Sequence, residues 1–195
     1  MRIALLISLL AVVTGLPVAE LQVVAKPAMF YVLHDPTKDQ WCAYQDQKRW
    51  RTAIDEHGAL ETASVQLIEL HPTVVKITDA DDPESGDWIV YDTYNLDAHG
   101  TVVSLDRVTN VLSDDVSRRE MFGTRDGKLF RKSVATKSLK SGRPMIAKDA
   151  WFPKVPLFGA TSDFPFGEFL NRPQQVLGRD DICLASHTST KSAPE

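Results

Sequence analysis

The chain of 195 residues carries 22 basic against 26 acidic side chains, a formal net charge of −4. That length suits one domain with a real hydrophobic core. The charge is spread without a basic block or arginine stripe, so a nucleic-acid partner lacks its electrostatic footprint.

Residues 1–19 read as a cleaved export signal. Arg2 supplies the positive start, Ile3 to Val13 is apolar except for Ser8, and Gly15-Leu16-Pro17-Val18-Ala19 is a helix-breaking, small-residue exit. A spanning helix needs about 20 mostly apolar residues, and this run is shorter, so no transmembrane segment is expected after cleavage. Cleavage after Ala19 is the first expectation; cleavage after Ala25, with Val23 at −3, is the second. Loss of Arg2 leaves the mature chain one charge more acidic. The expected location is the periplasm or outside the cell. The remainder divides into one β-rich domain over 20–186 and a Ser/Thr/Lys-rich tail over 187–195, expected to be disordered.

Cys42 and Cys183 are the only cysteines. In an oxidising compartment an isolated pair, without CxxC or Cys/His clusters, reads as a structural disulfide. It would tie the C-terminal part of the chain to the first strands. Between Asp39 and Glu56 two readings compete. Asp35-Pro36 and His57-Gly58 would bracket a single helix, but Trp41 and Trp50 would then fall on opposite sides of it. Read with period two, Trp50, Thr52 and Ile54 alternate with charged residues and alanine. The sequence favours a hairpin turning at Gln45-Asp46-Gln47-Lys48.

From Ser64 to Leu139, β-type runs alternate with turn signals. Val65 to Leu70, Val74 to Thr78, Trp88 to Leu96, Thr101 to Leu112, Arg119 to Thr124 and Leu129 to Thr136 are the strands. Asp97-Ala98-His99-Gly100 and Asp126-Gly127 are hairpin turns. The fold class is mainly β: a single antiparallel meander over 40–140, curved, with about six to eight strands. Lys128, Arg131, Lys132, Lys137, Lys140 and Arg143 read as a solvated strand face. With Ala98-His99 at the turn centre, Asp92 lies opposite Leu105 and diagonal to Arg107. A one-residue slip would set Asp92 against Asp106, which like charges disfavour. Asp92 shares a face with Trp88, Val90, Tyr94 and Leu96, and a carboxylate there is paired or functional. A structural Asp92–Arg107 ion pair is expected. The acidic turn with Asp79, Asp81, Asp82, Glu84 and Asp87 is a weak calcium candidate: calcium takes six to eight oxygens, but the spacing is not that of an EF-hand.

Over 141–173 five prolines exclude regular strands and long helices. Trp151, Phe152, Phe158, Phe164, Phe166 and Phe169 concentrate in this stretch, which reads as an irregular covering segment over one sheet face, with Asp163 capping a short helix through Leu170. These aromatics are also the binding candidates, as an exposed lip for a lipid or partner.

No cofactor is implied. The five histidines lack ligand spacing, and there is no GxSxG, HExxH or phosphate loop. The leading functional expectation is a non-enzymatic binding or structural module of the cell envelope or of the secreted fraction, with an envelope protein or a hydrophobic ligand as partner. The second is a carrier holding a lipid or other apolar ligand between sheet and aromatic flap. In size, compartment and meander the chain resembles periplasmic lipoprotein carriers, and no residue is carried over from them. The third is a hydrolase using Asp92 or His34-Asp35.

Overall fold

The computed structural model describes residues 28–80, 87–146, 150–179 and 181–185. The signal segment, Asp81, Asp82, Glu84 and the 187–195 tail lie outside the described residues. Nine strands form one open, all-antiparallel sheet: β1 (Ala28–Asp35), β2 (Gln40–Tyr44), β3 (Glu61–Ile68), β4 (His71–Ala80), β5 (Trp88–Leu96), β6 (Val102–Val111), β7 (Val116–Arg125), β8 (Lys128–Ser138) and β9 (Asp181–Ala185). Their order is β8-β7-β6-β5-β4-β3-β1-β2-β9. The mainly β, antiparallel class read from the sequence is the one that forms. β3 to β8 are a plain meander of hairpins, while β1 and β9 join from outside the 40–140 stretch.

The stretch after β2 corrects the hairpin expectation. Asp46 does not sit in a β-turn; its carboxylate accepts from the Arg49 amide at 2.8 Å and caps α1 (Gln47–His57). Gly58 ends the helix in the left-handed region, at φ 60°, with its own amide bonded to the Ile54 carbonyl. Trp41 and Trp50 conflict only if one element holds both; a strand holds the first and a helix the second. α1 takes the chain off the sheet, so β3 returns beside β1 rather than β2. The helix packs on one face at that corner: Trp50, Ala53 and Ile54 meet Leu33, Cys42 and Tyr44. Trp50 also stacks on Tyr31 at 5.0 Å and donates to the Val32 carbonyl at 3.0 Å.

The opposite face holds the main core. Pairing aligns Val32, Ala63, Ile77, Asp92, Arg107 and Glu120 in one cross-strand row. Phe30, Val65, Val75, Tyr94 and Leu105 pack alongside, all at most 1% exposed. Asp92 faces Arg107 directly, not Leu105. The register differs from the sequence expectation because a bulge at Asn95/Leu96 advances β6 before the five-residue connection through Gly100. That connection is fixed from outside the hairpin. The Thr161 amide donates to the Gly100 carbonyl at 2.8 Å and the Val102 amide to the Gly159 carbonyl at 2.9 Å. Gly100 has φ 77°, and a Cβ there would lie 2.8 Å from Thr161 Oγ1.

Residues 150–177 cross this face as a covering flap ending in α2 (Gly167–Asn171) and α3 (Pro173–Leu177). Phe164, Phe166, Phe169 and Leu170 are buried against the sheet, and each contributes on the order of 1.5–3 kcal/mol relative to exposure. Asp163 does not cap a helix running to Leu170. Its Oδ2 accepts from the amides of Gly159 and Ala160, at 2.9 and 3.1 Å, and closes the tight turn before α2. Proline explains the brevity of these helices: Pro165 precedes the first, and Pro173 can only begin the second.

Candidate functional site

The flap does not seal the face along its whole length. Towards β9 a cleft of about 860 Å³ remains between the layers. Trp41, Glu61, Ile77, Asp79, Asp92 and Leu184 line it from the sheet, and Pro156, Phe158, Phe164, Phe166, Phe169 and Arg172 from the flap. Trp41 and Phe166 meet at 5.1 Å, and Phe158 and Phe164 at 4.7 Å, so a buried aromatic layer backs the cleft, with Phe158 half-buried at its surface.

Strand pairing places the acids on this wall. Glu61 on β3 and Asp79 on β4 are direct cross-strand partners, an arrangement that like charges oppose. Burial raises the carboxyl of Glu61, with His34 opposing. Asp79 is pushed up to about 6, first by burial and then by Glu61 and Asp92, against a lowering from Arg107. Glu61 has His34 Nδ1 at 3.9 Å. Asp79 has no ion pair among the described residues.

Asp92 is different. Arg107 Nε donates to Oδ1 at 2.8 Å and Nη2 to Oδ2 at 2.6 Å, a bidentate fork, and the Tyr94 hydroxyl donates to Oδ2 at 3.2 Å. Burial, followed by the Asp92 charge, drives the Tyr94 phenol above its usual range. Arg107 also donates to the flap: Nη1 to the Val155 carbonyl at 2.9 Å and Nη2 to the Pro156 carbonyl at 2.8 Å. The pair therefore joins the two layers at the inner end of the cleft. Three of the roughly four lone-pair positions of this carboxylate are thereby occupied.

The other sequence candidates disperse. His34 and Asp35 are consecutive in β1, so they point to opposite faces and cannot act as a dyad. His34 lies against Trp41 and Asp39. Asp35 is buried, accepts from the hydroxyl and amide of Thr37 at 2.6 and 2.9 Å, and has His57 and Lys38 near Oδ2. The Thr37 hydroxyl is the main reason its carboxyl is held below the ordinary value. Of the calcium candidates, Asp79 faces the cleft, while Asp87 is exposed at the start of β5, its carbonyl accepting from the Leu112 amide. Among the described residues no three His, Cys, Asp or Glu side chains converge as a metal shell. Phe158, Phe164, Phe166 and Phe169 line the cleft, but Trp151 stands 61% exposed outside it, and Phe152 lies under the Arg118 guanidinium at 4.7 Å. Glu61 and Trp41 were not singled out from sequence as site residues. The signal for Glu61 is its spacing of two from Ala63, Val65 and Leu67, the core-facing positions of β3.

The Asp79 shift has a stability consequence. Its ordinary value is 3.8 and its folded value about 6, so the folded state holds this proton more tightly. The associated stability is complete below about 4 and is lost as pH rises through about 6. Asp79→Asn should raise stability at neutral pH by about 1 kcal/mol, the full linkage being reduced by partial solvent screening. Urea midpoints should diverge at neutral pH and converge near pH ~4; an equal gap at both would exclude this origin. Comparison of the chain with protein-family models, with curated proteins and with solved structures yields no match.

Proposed function

We propose that the protein is a non-enzymatic, exported binding module that takes a small, mainly apolar ligand in the cleft between sheet and flap. The observation that carries this reading is the mainly apolar cleft of about 860 Å³ between the layers, within the size range of small-molecule sites. Its wall is preformed: Phe164, Phe166 and Phe169 are fixed in the core, so binding orders few side chains. The Cys42–Cys183 bond supports an oxidising compartment, the periplasm or the exterior. Among the described residues no helix is long and apolar enough to cross a membrane.

Titration of the purified protein with the neutral fluorophore N-phenyl-1-naphthylamine tests the reading. Saturable binding at one site per chain is expected. Leu184, half-buried on the cleft side of β9 opposite Trp41, offers the control: Leu184→Trp should fill the entrance and abolish binding, at a stability cost of no more than about 1–3 kcal/mol for the larger side chain, read from the urea midpoint. No saturable binding, or binding indifferent to Leu184→Trp, overturns the proposal.

A further inference from the structure

We infer that the ligand of this cleft is an amphiphilic amine, with its ammonium group held between Glu61 and Asp79 and its apolar body along the half-buried Ile77 and Phe158. The inference rests on the cleft being a ligand site, and its argument is charge complementarity. Five carboxylates line the cleft, those of Glu61, Asp79, Asp92, Asp163 and Glu168, against the single guanidinium of Arg172. Three of the five are already committed. Asp92 is held by Arg107, Asp163 accepts two backbone amides, and Glu168 has Arg172 at 3.4 Å. Glu61, with His34 Nδ1 beside it at 3.9 Å, and Asp79 are left facing one another on neighbouring strands.

Direct cross-strand partners have Cβ atoms about 4.5–5.5 Å apart, a gap that one ammonium spans. An ammonium has three donors and no acceptor, so it can bond both carboxylates at once. The apolar lining at Ile77 and Phe158 suits the methylenes or ring of such a molecule. A neutral lipid would leave two half-buried carboxylates desolvated without compensation. A fatty acid would add a third negative charge.

Calorimetric titration of the full chain near neutral pH with octylamine, 1-octanol and octanoate decides the matter. Octylamine should bind at least about tenfold more tightly than octanol, the scale of one charge-assisted hydrogen bond, and octanoate should bind most weakly. The double variant Glu61→Gln/Asp79→Asn should lower octylamine affinity to that of octanol and leave octanol unchanged. This variant removes a repulsion, so it should fold at least as stably as the parent, checked by its urea midpoint. Equal affinity for octylamine and octanol in the parent protein overturns the amine assignment while the cleft reading stands. Retention of octylamine preference in the double variant also overturns it. Failure of all three compounds to bind saturably overturns the cleft reading with it.

Discussion

Arg107→Met should destabilise the protein by about 3–5 kcal/mol, because it leaves the Asp92 carboxylate buried without its partner. Asp92 is 3% and Arg107 7% exposed, so water cannot substitute for the lost guanidinium. The effect has a second part. The carbonyls of Val155 and Pro156 lose their donor, and the flap should loosen over that stretch. Adding Asp92→Leu to Arg107→Met removes the orphan charge, and the double variant should regain most of the loss. The flap carbonyls stay unsatisfied in both, so recovery should fall short by about 1–3 kcal/mol. Urea unfolding of the parent, the single and the double variant measures the cycle. A single variant within about 1 kcal/mol of the parent would mean that the pair is not the joint between the layers.

The second large effect concerns the Cys42–Cys183 bond, which closes a loop of 141 residues. Loop entropy assigns it about 5 kcal/mol, an upper figure because residual structure in the unfolded chain reduces it. Cys42→Ala/Cys183→Ala should therefore lower stability by about 2–5 kcal/mol, and reductant should do the same to the parent and nothing to the variant. The loss should also be local. β9 pairs with β2 alone among the described strands. Its amides should become the fastest-exchanging of the sheet, while β4 to β6 stay protected. Uniform loss of protection across the sheet would show instead that β9 and the central strands open together.

The strands of the meander are legible in the sequence because hairpins are local. Asp126-Gly127 supplies its own left-handed turn, and Trp88 to Leu96 states its two faces by alternation. The Asp92–Arg107 contact follows from the same alternation, since a carboxylate on that face needs a cation within reach. What the sequence hides is set by distant contacts. The bulge beside Leu96 is held by Thr161 and Gly159, more than fifty residues on in the chain. The β3–β4 turn uses Glu69 and Leu70, with φ 51° and 66° and no glycine to announce it. Together with the bulge at Gln66/Leu67, that turn decides that Glu61 meets Asp79. The acidic cleft wall was therefore not readable from spacing alone. α1 hides for another reason: only Ala53 of its eleven residues is buried. Its apolar stripe is too narrow to outweigh the period-two pattern, although Asp46 and Gly58 mark its ends.

The position of β9 also orders the events of folding. β2 is made early and α1 at once leads the chain away, so the outer edge of β2 stays unpaired until Asp181–Ala185 arrives. A chain in which that segment has not docked offers a bare strand edge to other chains. The same vacancy can accept the β9 of a second molecule, an exchange that makes a domain-swapped dimer from native contacts alone. Oxidation of Cys42 with Cys183 commits that edge to the β9 of its own chain.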